Sequence, residues 1–125
     1  MSGAYTASQL YPRPERWGAM RAGNTDTRAR DAAPDLQTIN DTIATAQVEI
    51  SRRDGQPMEP IDLSWTGAVA LDATRTLVTI GLAVGNPPGL TANTPVDYVV
   101  TITVTTTGGR ILSWDTYQLV VAQIG

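Results

Sequence analysis

Nine arginines, twelve carboxylates and an ample supply of serine and threonine hydroxyls are the side chains of this sequence that could do chemistry. Cysteine, histidine, lysine and phenylalanine do not occur in its 125 residues. Disulfides, thiol nucleophiles, imidazole bases, Schiff bases and the usual zinc ligand sets are thereby excluded. Nothing titrates near neutral pH unless a carboxyl is strongly shifted. Hydroxyls such as those of Ser64 and Ser113 have no base to activate them, so they read as strand-surface residues. Asp62, Asp72, Asp97 and Asp115 could supply a carboxylate pair for glycoside hydrolysis or an oxygen cage for calcium. Their spacing supports neither a matched acid and base nor an alternating calcium loop. The segment Gly85 to Gly89 opens no helix, so it is a turn or a contact loop rather than a phosphate cradle. The expectation is a protein without enzymatic activity, cofactor or metal.

What remains for these side chains is binding, and their distribution is uneven. Residues 1–34 hold Arg13, Arg16, Arg21, Arg28 and Arg30 against Glu15, Asp26 and Asp31, a balance of +2. Residues 35–125 hold four arginines against nine acids, a balance of −5. The first part also has three of the seven aromatic residues, Tyr5, Tyr11 and Trp17. It lacks a sustained period: Pro12 and Pro14 impose extended geometry, and Gly3, Gly18 and Gly23 break helices. Too little apolar surface lies between Gly23 and Ala33 to offset the entropy of ordering. Residues 1–34 therefore read as an extended N-terminal arm that becomes ordered on another molecule, the plainer alternative being a solvated tail. As a docking segment its apolar anchors would be Tyr5, Leu10, Tyr11, Trp17 and Met20. Its polar anchors would be the five arginines, suited to bidentate contact with carboxylates or phosphate. Nucleic acid is not favoured as a partner, because +2 on an acidic body falls short of a clustered basic footprint. No apolar run approaches the roughly 20 residues that span a bilayer, so no membrane partner is expected. Residues 1–20 lack the charged start and apolar stretch of a secretory signal, so export by that route is not expected either.

The element that must position such groups is the body, residues 35–125. From Pro95, the row Val96, Tyr98, Val100, Ile102, Val104 alternates with a polar row through Thr105, the period of a strand. Gly108-Gly109 then suits a tight hairpin. Ile111 to Val121 returns as its partner, with Tyr117, Leu119 and Val121 in phase and an irregularity at Trp114-Asp115 that a bulge would explain. Two further strands are read from Thr76, Val78, Ile80, Leu82 and from Ile61, Leu63, Trp65, with a turn at Asp54-Gly55. Residues 36–43 fit helix and strand spacing alike; an Asp-Gly turn downstream favours a strand from Thr42 to Ser51. Short threonine-rich strands ending in a hairpin describe an all-β domain, a small antiparallel sandwich. Without the disulfide of antibody domains its core rests on apolar burial, with Tyr98, Tyr117 and one of Trp65 or Trp114 as the largest contributors.

The succession Asp41-Thr42-Ile43-Ala44, Val48-Glu49-Ile50, Asp54-Gly55, Val78-Thr79-Ile80, then Asp97-Tyr98 through Val104-Thr105-Thr106, Gly109-Arg110 and Leu119-Val120-Val121 resembles a phage protein family. These are the small immunoglobulin-like fiber-tail adaptor proteins of tailed bacteriophages, matched over roughly residues 41–122. The loop Gly85 to Pro95 is longer and richer in proline than is usual there, and residues 1–34 lie outside the match. The resemblance implies an immunoglobulin-like antiparallel β-sandwich that is a structural component of the virion tail, without catalysis or cofactor. Its implied partners are other tail or connector proteins and the tail fiber, met by many copies in a symmetric assembly. A capsid decoration or head-closure subunit and a carbohydrate-binding host-recognition module are the alternatives.

Overall fold

The computed structural model describes residues 4–6 and 15–122. Its longest elements are the two strands of the last hairpin. Strand β8 (Val96–Thr106) buries Val96, Tyr98, Val100, Ile102 and Val104, and turns back through a hairpin into β9 (Ile111–Val121). Gly109 has φ +87 in that hairpin, a conformation only glycine adopts without strain. Strand β5 (Ile43–Arg52) pairs antiparallel with the other side of β8. The second sheet holds β4 (Thr25–Asp31), β7 (Leu77–Ala83) and β6 (Ser64–Leu71) in the order β4-β7-β6, all antiparallel. Val78, Ile80 and Leu82 face Tyr98, Val100, Ile102 and Trp114 across one apolar core. The protein is an all-β sandwich of two packed sheets, with one short helix among the described residues.

That helix, α1 (Ala33–Ile39), resolves the double spacing of residues 36–43. Pro34 sits in its first turn, and Leu36 is buried in the core. The Asp31 carboxylate accepts the Ala33 N–H at 3.0 Å. Asn40 ends the helix in the left-handed conformation at φ 53. Helix then gives way to strand at Ile43, so each spacing describes part of the segment. Asp35 does not cap the helix; it is buried and accepts the indole N–H of Trp114.

Three expectations need correction. The register of β8 with β9 runs unbroken from Val96 and Val120 to Thr105 and Ile111, so no bulge lies at Trp114-Asp115. The inward row of β9 is Leu112, Trp114, Thr116, Gln118, Val120, and Tyr117 lies on the outer face. Two buried polar residues in that row made the outer row look like the apolar one. Second, β6 begins at Ser64: Ile61 is 49% exposed, and Asp62 and Leu63 are buried in the loop before it. Of the two tryptophans it is Trp114 that fills the core, while Trp65 is 41% exposed.

Third, the division at residue 34 does not separate an arm from a body. Strand β4 lies within the expected arm and is one of three strands of the second sheet. Ahead of it, β1 (Ala4–Thr6), β2 (Glu15–Arg16) and β3 (Met20–Arg21) pair in turn, parallel, along β9. These stretches form a ribbon on the chain's own sheet. The physical reason is that a sandwich with β9 and β4 as edges leaves its seam open, and the ribbon closes it. Trp17 makes this possible: between β2 and β3 the ribbon uses one residue more than β9 does, and the indole N–H reaches across to the carbonyl of Ala29 on β4 at 3.2 Å.

Candidate functional site

Polar groups cluster at two places, the seam under the ribbon and the loop end of the sandwich. At the seam, Gln118 is fully buried on β9. Its Nε2 donates to the Gly18 carbonyl at 2.7 Å, and its Oε1 accepts from Arg28 Nε at 3.0 Å. Arg28 Nη2 donates to the same Gly18 carbonyl at 2.9 Å, and its Nη1 bonds to Asp26 at 2.7 Å. Arg28 and Arg30 point inward from β4, an edge strand. Inward charge on an edge is a known defence against unwanted pairing, and at Arg28 a buried amide and the ribbon satisfy it. Arg30 is 8% exposed and lies over the Trp114 ring at 5.7 Å.

The loop end is built on Asp62. This carboxylate is buried and accepts three donors: the Tyr98 hydroxyl at 2.5 Å, Arg52 Nη1 at 3.0 Å and the Glu59 N–H at 2.7 Å. Burial first, then the Asp62 carboxylate, push the Tyr98 phenol well above its ordinary range, so it remains a donor. Arg52 also grips Asp54 at 2.7 Å, and this bond, ahead of the N–H of Gln56, holds the Asp54 carboxyl below the usual range. One interior triad thereby fixes the loop from Arg52 to Asp62 against β8.

On the outer face beside it, Asp97 is shared by two arginines. Arg16 of β2 contacts it with both terminal nitrogens, at 3.2 and 2.9 Å, and Arg53 with one at 3.0 Å. Both guanidiniums stack on Tyr117, Arg53 at 4.1 Å and Arg16 at 5.2 Å from the ring centre. Burial would raise the Asp97 carboxyl, but the arginines outweigh it and hold it low. An open cleft of about 410 Å³ lies between the Arg52–Asp54 turn and the Thr94–Asp97 stretch. No group of three or more acidic side chains that could hold a metal exists among the described residues. No helix among them is long and apolar enough to cross a membrane.

No protein-family model matches this chain, and no curated protein matches it. The residues alone must therefore carry the reading.

The expected partner anchors fall into three groups. Leu10, Tyr11 and Arg13 lie outside the described residues, and Tyr5 is placed by its backbone alone, opposite Leu112. Arg21 is exposed on β3. Arg16, Trp17, Met20, Arg28 and Arg30 meet the chain's own sandwich: Met20 is 3% exposed in the core, and the other four make the contacts given above. Sequence reading missed their counterparts Asp97, Tyr117, Gln118, Arg53 and the buried Asp62. The signal for Gln118 was present, as a polar residue interrupting an apolar strand row. Asp62 carried no comparable signal, because its partners Arg52 and Tyr98 are 10 and 36 residues away.

Proposed function

We propose that the chain is a non-enzymatic structural subunit of a tailed-bacteriophage virion, an immunoglobulin-like adaptor that attaches fibers to the tail. The strand order supports this reading most. With β4-β7-β6 facing β9-β8-β5, the order is that of the B-E-D and G-F-C strands of immunoglobulin-like domains, and the first segment runs parallel on the last strand. Residues 41–122 also carry Tyr98, the alternating Val-Thr strand, the Thr-Thr pair followed by Gly109-Arg110, and the closing apolar strand on which the family resemblance rests. The polar groups with the best geometry act as frame members: Asp62 holds a loop and Asp97 holds the ribbon. A stiff body with fixed loops suits an adaptor, because many copies in a symmetric assembly add weak contacts into a firm attachment.

The test is the position of this chain in intact particles, read by electron microscopy of virions from its host. Density at the junction of tail and fiber is expected. Density on the capsid surface or at head closure, or no incorporation, would overturn the adaptor reading. One observation favours a second reading: Trp65, 41% exposed, is the kind of aromatic platform on which sugar rings stack. A glycan array probed with wild type and Trp65→Ala decides it, since a carbohydrate-binding module loses specific binding in the variant.

A further inference from the structure

Edge strands expose a row of unpaired N–H and C=O groups, and this chain covers most of its own. The ribbon closes β9, Trp17 crosses to β4, and β6 breaks register with β7 between Thr66 and Ala70. On β5, Arg75 covers the start: its Nε donates to the Ile43 carbonyl at 2.7 Å and its Nη2 to that of Ala44 at 2.8 Å. Beyond Arg52 the chain turns away, with the Gly55 N–H bonded to the Arg52 carbonyl at 3.2 Å. Between these limits, Thr45–Ser51 keeps an unbroken ladder with β8 and forms none on its other side. No side chain or loop among the described residues bonds to the outward backbone groups of this run.

We propose that this run is a self-association site, where two copies join antiparallel through Thr45–Ser51 about a two-fold axis at Val48. The axis follows from the sequence. Val48 is the midpoint of the open run, so this register uses all of it. Residues opposite each other then share a face of the joined sheet. The core-side row becomes Ala46 against Ile50, Val48 against Val48 and Ile50 against Ala46, small opposite large. On the outer face, where Thr45, Gln47, Glu49 and Ser51 are exposed, each Glu49 meets a Gln47 of the other copy. Moving the axis one residue to Glu49 would bring the two Glu49 carboxylates together, which is destabilising. A foreign strand would gain nothing from this symmetry, whereas a second copy is complementary by construction. The inference stands on the β5 edge and does not rest on the virion reading.

The test is sedimentation equilibrium of the full chain up to about 1 mM, near the weakest affinity that still registers as specific association. A monomer–dimer equilibrium is expected. Gln47→Lys, which places two opposite-charge pairs in the interface, should tighten it roughly tenfold, and Gln47→Glu should weaken it by a similar factor. In dilute solution, where the chain is monomeric, both variants should melt as the wild type does, because the side chain is exposed. Alternate amides within Thr45–Ser51 should gain hydrogen-exchange protection as concentration rises. A chain monomeric throughout, or a dimer indifferent to both substitutions and without that protection, overturns the proposal. So does protection that appears only on adding an extended segment of another protein.

Discussion

Single residues decide the loop end. Asp62 sits inside the protein with three donors around it, so removing the carboxylate takes the acceptor from a buried phenol and from Arg52 Nη1, whose guanidinium keeps only Asp54. Asp62→Ala is expected to cost about 3–5 kcal/mol, the scale of breaking a buried pair, and Tyr98→Phe about 1–3 kcal/mol. Chemical denaturation of the two variants checks the ranking. Asp72 organises the turn between β6 and β7: it accepts the Thr74 hydroxyl and the N–H groups of Thr76 and Leu77, and these bonds hold its carboxyl at about 2. Its folded value is depressed, so its contribution is complete above the ordinary value of 3.8 and disappears as pH falls toward about 2. Acid titration should therefore weaken this turn across that window in wild type, and Asp72→Asn should lack that part of the loss, as read by turn resonances. The role of Asp62 is not written in local sequence, because only the fold brings Arg52 and Tyr98 near it, whereas Asp72 meets partners two to five residues further on.

At the scale of elements, legibility followed the purity of the apolar row. Strands β7 and β8 alternate without exception and stand where their spacing puts them. Strand β9 carries Thr116 and Gln118 inward, and a reading that expects apolar residues inside assigns it the wrong face. The ribbon had no period to read, because its pairings are two or three residues long and its order comes from Gln118, Arg28 and Gly18. Gln118→Leu should loosen it while leaving the sheets paired, at a cost of about 1–3 kcal/mol, because Arg28 Nε loses its acceptor and the Gly18 carbonyl keeps one donor of two. Faster exchange of the Trp17 and Ala22 amides, with β8 unchanged, is the expected signature. In the hairpin, Gly109→Ala should cost about 1–2 kcal/mol, the strain of a side chain at φ +87, measurable as a lower melting temperature.

For the whole molecule, composition and strand count were enough for an all-β sandwich, but not for its boundary. A basic, proline- and glycine-rich first quarter resembles a tail, yet it supplies a strand of the second sheet, core residues Met20 and Ala22, and the closure of a seam. Deleting residues 1–34 should consequently abolish cooperative unfolding rather than release a folded body. The most direct measurement is amide hydrogen exchange on the purified, dilute chain. The Trp17 N–H bonds to the Tyr117 carbonyl at 3.0 Å and the Ala22 N–H to the Val121 carbonyl at 2.9 Å. Both should be protected at every concentration, within the range seen for the paired strands. Exchange of these two amides at the rate of an unfolded chain, with protection only when other molecules are present, would contradict it.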